Sequence, residues 1–250
     1  MSLRIVLVRT KNSANIGSAA RAMKNFGVAE LYLVSPRCSL DRQAYALASH
    51  AGDLLEAAKT VGTLEEALTG IRHAAGTTAR ERASEAVRAA SAREGVKQLP
   101  AGKSAIVFGP EDTGLTNSEL DRCQLAIHIP TASYASLNLA QAVNVLCYEW
   151  FQANLAPAGE ADSGPAPVPD GRVATREKFE GMIRHLMDTL LYIGYTEPHQ
   201  AQGIEHLYRR VFDRAQLTDR EVAALRGLWA QTRWAAEQPP ERVPGGRESR

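Results

Sequence analysis

The first 155 residues alternate short apolar runs with helix-patterned segments, and that alternation restricts the fold more than any other feature of the chain. Residues 3–9 are a β-branched run, and residues 16–26 carry helical spacing that ends at Gly27, a residue suited to closing a helix. Residues 30–34 (ELYLV) again read as a strand, and residues 45–58 as an Ala/Leu-rich helix. Thr63-Leu-Glu-Glu66 has the spacing of a capping box. Residues 71–76, 104–108 and 125–129 are short apolar runs bounded by turn residues, and residues 139–154 form a long helical pattern. Strands separated by helices pair in parallel, and a parallel sheet needs cover on both faces. The expected fold class is therefore α/β, a parallel sheet with helices on both sides.

The alternation stops at residues 156–172, APAGEADSGPAPVPDGR, which hold four prolines and three glycines and no aliphatic period. Such a segment buries too little apolar surface to offset its ordering and reads as a linker. Beyond it, Phe179, Ile183, Leu186, Leu190 and Leu191 follow helical spacing. So do Ile204, Leu207, Val211 and Phe212, and then Val222, Leu225, Leu228 and Trp229 behind a capping box at Thr218-Asp-Arg-Glu221. The expected organisation is a domain over 1–155, a linker over 156–172, a small all-helical module over 173–237 and a frayed tail over 238–250. Arg209, Arg210, Arg214, Arg226 and Arg233 fall mainly outside the apolar stripes. They read either as solvated helix surface or as an RNA-facing basic patch.

Charge narrows the function classes. Lysine and arginine total 29 against 28 acidic residues, a net charge of +1. This excludes an acidic disordered protein and a histone-like binder that works by bulk charge, though not a local basic face. Cys38, Cys123 and Cys147 are an odd set without a CxxC pair, which argues against a disulfide framework or zinc finger and for a reducing cytoplasm. No run approaches the roughly 18–20 apolar residues that span a bilayer. Two patterns resemble sites without the chemistry. Ala101-Gly-Lys-Ser104 lacks the earlier glycine of a phosphate loop, since Lys97 stands there, and it precedes a strand rather than a helix. The six histidines form no HExxH pair, so no metal site is expected. With no GxGxxG, a nicotinamide fold lacks its anchor.

Three segments exceed what generic packing requires. Asn15-Ile-Gly-Ser-Ala-Ala-Arg21 follows the first strand, where α/β ligand sites gather, although Asn15 alone could merely cap a helix. Phe108-Gly-Pro-Glu-Asp-Thr-Gly-Leu115 leaves another strand with a lone acid, Glu111. Ser136-Leu-Asn-Leu-Ala-Gln-Ala-Val143 runs from a polar loop into an apolar helix, where Ser136 and Asn138 could be ordinary caps. Each is weak alone. Their joint occurrence in this order is not.

Together they resemble the SPOUT superfamily of RNA methyltransferases, in its ribose 2′-O-methylating TrmH/TrmJ branch, over residues 3–150. Gly76-Thr-Thr-Ala-Arg80 is similar to a strand-end segment of the TrmJ group, whereas Asn12-Ser-Ala departs from the Pro/Gly-rich form common before the first motif. The resemblance implies a C-terminal deep trefoil knot, which general chain rules make very rare, and a homodimer with a shared site. It implies that S-adenosylmethionine is held by Thr77, Thr78, Ala79, Gly109, Ile129, Ser136, Leu137 and Asn138. Arg21 is the catalytic candidate, as base or as electrostatic clamp. A guanidinium is essentially never neutral in proteins, so the clamp is at least as good a reading as the base. Asn15, Glu111, Ser136 and Asn138 would position the ribose and Arg21.

A helical module after the catalytic domain is similar to the layout of the TrmJ group, which implies tRNA as partner and C or U at position 32 of the anticodon loop as target. A single-stranded loop suits this chemistry because its nucleotides can be splayed into a pocket. Methylation of ribosomal RNA or of tRNA position 34 is the alternative enzyme reading, and a non-catalytic RNA-binding protein the alternative of another class. DNA and membranes are not expected partners.

Overall fold

A computed structural model describes residues 2–79, 88–100, 102–132, 136–155 and 172–238. The linker expected over 156–172, apart from Arg172, and the tail beyond 238 lie outside the described residues. The chain divides into two compact units, residues 1–167 and 168–250.

The first unit is built on seven strands: Leu3–Val8 (β1), Glu30–Val34 (β2), Lys59–Val61 (β3), His73–Thr77 (β4), Arg88–Ser91 (β5), Ser104–Phe108 (β6) and Leu125–His128 (β7). Every pairing is parallel, in the order β3-β2-β1-β6-β4-β7-β5. Alternation along β1 explains the two layers. Leu3, Ile5 and Leu7 enter one core, with Leu31, Leu33, Ile106 and Phe108, whereas Val6 and Val8 enter the other with Val34, Ala105 and Val107. The first core is covered by Ser13–Asn25 (α1), Arg42–Ala48 (α2), Gly52–Glu56 (α3), Ala92–Lys97 (α5) and Leu139–Asn154 (α7). The second lies under Leu64–Ala67 (α4) and is joined by Leu115 and Cys123, on either side of Asn117–Leu120 (α6).

Three details differ from the sequence reading. The helix expected over 45–58 is broken, because Ser49 adopts φ of 53°. Asp41 caps α2 by accepting from the Gln43 and Ala44 amides, and the break lets α2 and α3 each bury apolar residues beside α1. The edge strands β3 and β5, only three and four residues long, carry no apolar alternation to announce them. At Thr63 the cap forms, but Glu66 reaches the Gly62 amide at 2.9 Å rather than closing a box.

The second unit contains Arg176–Tyr192 (α8), Ala201–Ala215 (α9) and Asp219–Glu237 (α10), around Phe179, Met182, Ile183, Leu186, Val222 and Trp229. The capping box at Thr218 and Glu221 is present. Arg209, expected outside the apolar stripes, is instead buried. It forks onto both oxygens of Glu180 at 2.8 and 2.7 Å and also donates to Glu205. Arg176 is buried beside it, between Glu180 and Asp213. Arg210, Arg214, Arg226 and Arg233 are exposed. Leu207, Val211 and Leu228, expected in the stripes, face solvent. On α9 the inward row is Ile204, Tyr208 and Phe212, and Leu207 and Val211 each precede it by one position, about 100° around the helix. No helix among the described residues is long and apolar enough to cross a membrane.

Candidate active site

The C-terminal ends of β4, β6 and β7 open onto a cavity of about 260 Å³. Thr77, Thr78 and Ala79 at the end of β4, Gly109 after β6, Ile129 after β7, and Ser136 and Leu137 ahead of α7 all line it. These are seven of the eight residues expected around the cofactor; Asn138 does not line the cavity but sits at the start of α7. Asn117 and Leu120 also line it and lie outside every segment singled out in the sequence.

Local geometry shows why these residues stand there. Thr78 N–H donates to Ile127 O at 2.9 Å, extending the β4–β7 pairing to the rim, and Thr77 Oγ1 donates to Val107 O at 3.1 Å. After β6 the chain folds back on itself, with Gly114 N–H donating to Pro110 O and Gly114 at φ of 67°. Gly109 lies so close to this return that a Cβ there would fall 2.2 Å from the Gly114 carbonyl carbon. The loop then enters α6 through a capping box, Thr116 with Glu119, whose T-x-x-E pattern is the sequence signal for this helix start.

Beside the cavity, three polar side chains remote in sequence meet. Asn15 Nδ2 donates to Glu111 Oε1 at 2.8 Å, and Asn138 Nδ2 donates to Asn15 Oδ1 at 2.9 Å. Asn138 Oδ1 meanwhile accepts from the Ala140 and Gln141 amides and so caps α7. Asn138 is thus both an ordinary cap and a member of the cluster. Asn15 is not the α1 cap; Asn12 fills that role, and Asn15 is buried in the first turn. Glu111 also accepts from the Lys11 and Asn12 amides at 3.1 and 3.4 Å, so donors occupy both its oxygens. Lys11 Nζ adds an ion pair to Asp112 at 2.6 Å.

Arg21 is not brought to this cluster. It is exposed and makes no hydrogen bond or ion pair with the described residues. Six positions beyond Asn15 on one helix, it lies about 9 Å along the axis and about 120° around it. Ser136 is exposed at the cavity rim.

The described cavity wall carries two carboxylates, Glu111 and Asp112, and no Lys, Arg or His. Hydroxyls of Thr77, Thr78 and Ser136 alternate with apolar Ile129, Leu137 and Leu115. Such a lining suits a ligand with a flat apolar part, hydroxyl groups and positive charge, and disfavours a phosphate. No group of three His, Cys, Asp or Glu side chains among the described residues could hold a metal ion.

Residues 2–148 match the SpoU rRNA Methylase family, and residues 177–241 match the C-terminal domain of tRNA methyltransferase TrmJ. The tRNA (cytidine/uridine/adenosine-2′-O-)-methyltransferase TrmJ of Pseudomonas aeruginosa is 39% identical over 243 residues, covering 94% of this chain and 95% of that protein. The tRNA (cytidine/uridine-2′-O-)-methyltransferase TrmJ of Klebsiella pneumoniae is 39% identical over 239 residues, covering 92% and 95%. The crystal structure of TrmJ from Z. mobilis ZM4 superposes with a TM-score of 0.77 at 31% identity, over 91% of this chain and 97% of that one. With its motif residues gathered at the strand ends of a parallel sheet, the chain belongs to the SpoU methylase family, in its TrmJ group.

Proposed function

We propose that this protein is an S-adenosylmethionine-dependent tRNA 2′-O-methyltransferase whose target is the ribose of C or U at position 32 of the anticodon loop. The observation that carries the reading is the cavity itself, whose described wall holds two carboxylates and no cation, next to the Asn15–Glu111–Asn138 cluster. The sulfonium of S-adenosylmethionine carries positive charge, so the wall fits it. When bound, it supplies an activated methyl group. Thr77, Thr78, Ala79, Gly109, Ile129, Ser136 and Leu137 would hold it, largely through backbone groups.

The chain's own contribution is then orientation and electrostatics. Alignment can supply roughly 7–11 kcal/mol of a barrier, against about 10²–10⁴-fold from a general base. Glu111 is no free base in this arrangement, because three N–H groups already point at its two oxygens. It fixes the start of α1 against the β6 loop, and with Asn138 it fixes Asn15. Arg21, exposed and unpaired among the described residues, is free to clamp a substrate phosphate and to stabilise the developing alkoxide. Because Arg21 points away from the cluster of its own chain, the reading includes a homodimer in which Arg21 of one copy serves the cavity of the other. It also includes a deep trefoil knot formed by the C-terminal segment of the first unit. Strand order favours this: β4 lies between β6 and β7, so the β6–β7 connection passes over a strand already laid down.

The helical unit is read as the RNA-binding module, with phosphate contacts from Arg210, Arg214, Arg226 and Arg233. The organisation proposed is a methyltransferase domain over 1–155, a linker over 156–172 and the module over 173–237, acting in the cytoplasm. The test is to incubate the protein with tritiated S-adenosylmethionine and total RNA, separate by size, and map the 2′-O-methyl in tRNA. Label in ribosomal RNA, or at tRNA position 34, would replace the target proposed here. No incorporation alongside normal RNA binding would favour a binding protein without catalysis.

A further inference from the structure

Arg9 and Glu119 belong to none of the three sequence motifs, yet they join the end of β1 to the helix behind the cavity. Arg9 has φ of 49°, a left-handed conformation that a residue with a side chain adopts where its surroundings impose it. Its backbone N–H donates to Val34 O at 2.8 Å. Its guanidinium forks onto Glu119, with Nη1 on Oε1 and Nη2 on Oε2, the latter at 2.9 Å. Glu119 Oε2 also accepts from Thr116 N–H and Oγ1 at 2.9 Å each, closing the capping box of α6.

α6 has only four residues, too few to hold a helix by propensity alone. Its Asn117 and Leu120 line the cofactor cavity, whereas Ser118 and Glu119 line a second cleft together with Arg9. α6 is thus a thin partition, and Arg9 grips it from behind. We propose that Arg9 is a positioning residue: through Glu119 it holds α6 and the preceding loop, residues 109–116, in the shape that accepts S-adenosylmethionine. This inference rests on the cofactor reading of the cavity. Burial opposes ionisation of Glu119, but the Arg9 and Thr116 hydrogen bonds outweigh it and hold the carboxyl below its ordinary range. Hydrogen bonding to Glu119 in turn raises the Arg9 guanidinium. The pair therefore stays charged at neutral pH. A lysine would present one point charge where the fork presents two parallel bonds.

The experiment measures S-adenosylhomocysteine binding by calorimetry for wild type, Arg9→Ala, Arg9→Lys and Glu119→Gln. It also measures methyl transfer against S-adenosylmethionine and against tRNA. Arg9→Ala should weaken S-adenosylhomocysteine roughly tenfold, the scale of one charge-assisted hydrogen bond. It should raise the KM for S-adenosylmethionine and leave the KM for tRNA unchanged, with Arg9→Lys intermediate. Should Arg9→Ala fail to fold, Glu119→Gln decides, since glutamine keeps an oxygen for the Thr116 amide. Wild-type affinity in both variants overturns the inference and leaves the cofactor reading standing, and an equal rise in both KM values also overturns it. Wild-type protein that does not bind S-adenosylhomocysteine overturns both.

Discussion

A methyl group added at Gly109 has nowhere to go. Built on the existing backbone, the new Cβ lies 2.2 Å from Gly114 C, 2.3 Å from Leu115 N and 2.7 Å from Gly114 O. Carbon contacts settle at about 3.5 Å, so the return of the loop must open by about 1 Å. All three obstacles are backbone atoms, and no rotamer change relieves them. The loop is also closed by the Gly114–Pro110 hydrogen bond, so it shifts as a unit rather than at one atom. Overpacking of this kind costs about 1–3 kcal/mol, which for a chain of this size lowers Tm by about 2–12 °C. Function should suffer more, because a 1 Å misplacement of a reacting group costs on the order of 10²-fold. Gly109→Ala is therefore expected to fold, melt a few degrees early, and lose methyl transfer by roughly two orders of magnitude. Melting curves, S-adenosylhomocysteine calorimetry and tritiated-methyl transfer to tRNA read the three parts separately. A variant with normal affinity and normal transfer would show that the cavity beside this loop is not where the cofactor is held.

Arg21→Ala should abolish transfer while S-adenosylhomocysteine affinity stays near wild type; joint loss of both would make Arg21 structural. Mixing Arg21→Ala with Ser136→Ala chains should restore part of the activity if the site is shared, and verified heterodimers without complementation would count against it. A chain cut after residue 156 should keep cofactor binding, since the first unit has its own two cores, but should lose tRNA methylation. The second segment, residues 171–250, has 13 basic against 11 acidic residues. Its RNA contacts must therefore come from placement and should weaken as salt rises; near-normal methylation by the shortened chain would assign the helices another role. The thiols should separate cleanly. Burial pushes Cys147 up to about 12, and Cys123 is buried. Cys38 is half-buried, its thiol raised first by burial and then by the Glu111 and Asp41 carboxylates. A thiol reagent at neutral pH should label Cys38 slowly and the other two only in denaturant; rapid native labelling of Cys147 would refute its burial.

What could be read from the sequence follows burial. β1, β2 and β6 are covered on both faces, so apart from Arg4, Glu30 and Ser104 every position is aliphatic or aromatic and the run stands out. β3 and β5 are edges, and nothing in Lys59-Thr-Val61 distinguishes a strand from the end of a helix. Helix caps were visible wherever a Thr or Asp stood at the right spacing, yet the pattern could not tell Asn12 from Asn15 as the cap of α1. Both have the right chemistry, and the difference is made by Glu111, 96 positions away from Asn15. Arg209 misled for the same reason. Its helix spacing placed it outside the apolar stripe, while its burial depends on Glu180 from α8. Local periodicity carries the elements; partners from distant segments decide which polar groups turn inward.

The Glu111–Asn15–Asn138 cluster has a direction, and the direction limits how the sequence can drift. Amides of α7 donate to Asn138, Asn138 donates to Asn15, and Asn15 donates to Glu111. Every amide group is therefore held in one of its two flips. Asp in place of Asn15 would set two acceptors face to face at Glu111, and Asp in place of Asn138 would do so at Asn15, although the α7 cap would survive. A reversed arrangement is consistent with the same backbone: Glu111→Gln supplies a donor, its oxygen keeping the Lys11 amide and giving up only the 3.4 Å contact to the Asn12 amide, Asn15 turns over, and Asn138→Asp accepts from it while still capping α7. Either change alone leaves a donor or acceptor unmatched, at a cost of about 1–3 kcal/mol. Relatives that depart from this trio should therefore depart at positions 111 and 138 together, with the acid moving from one end of the relay to the other.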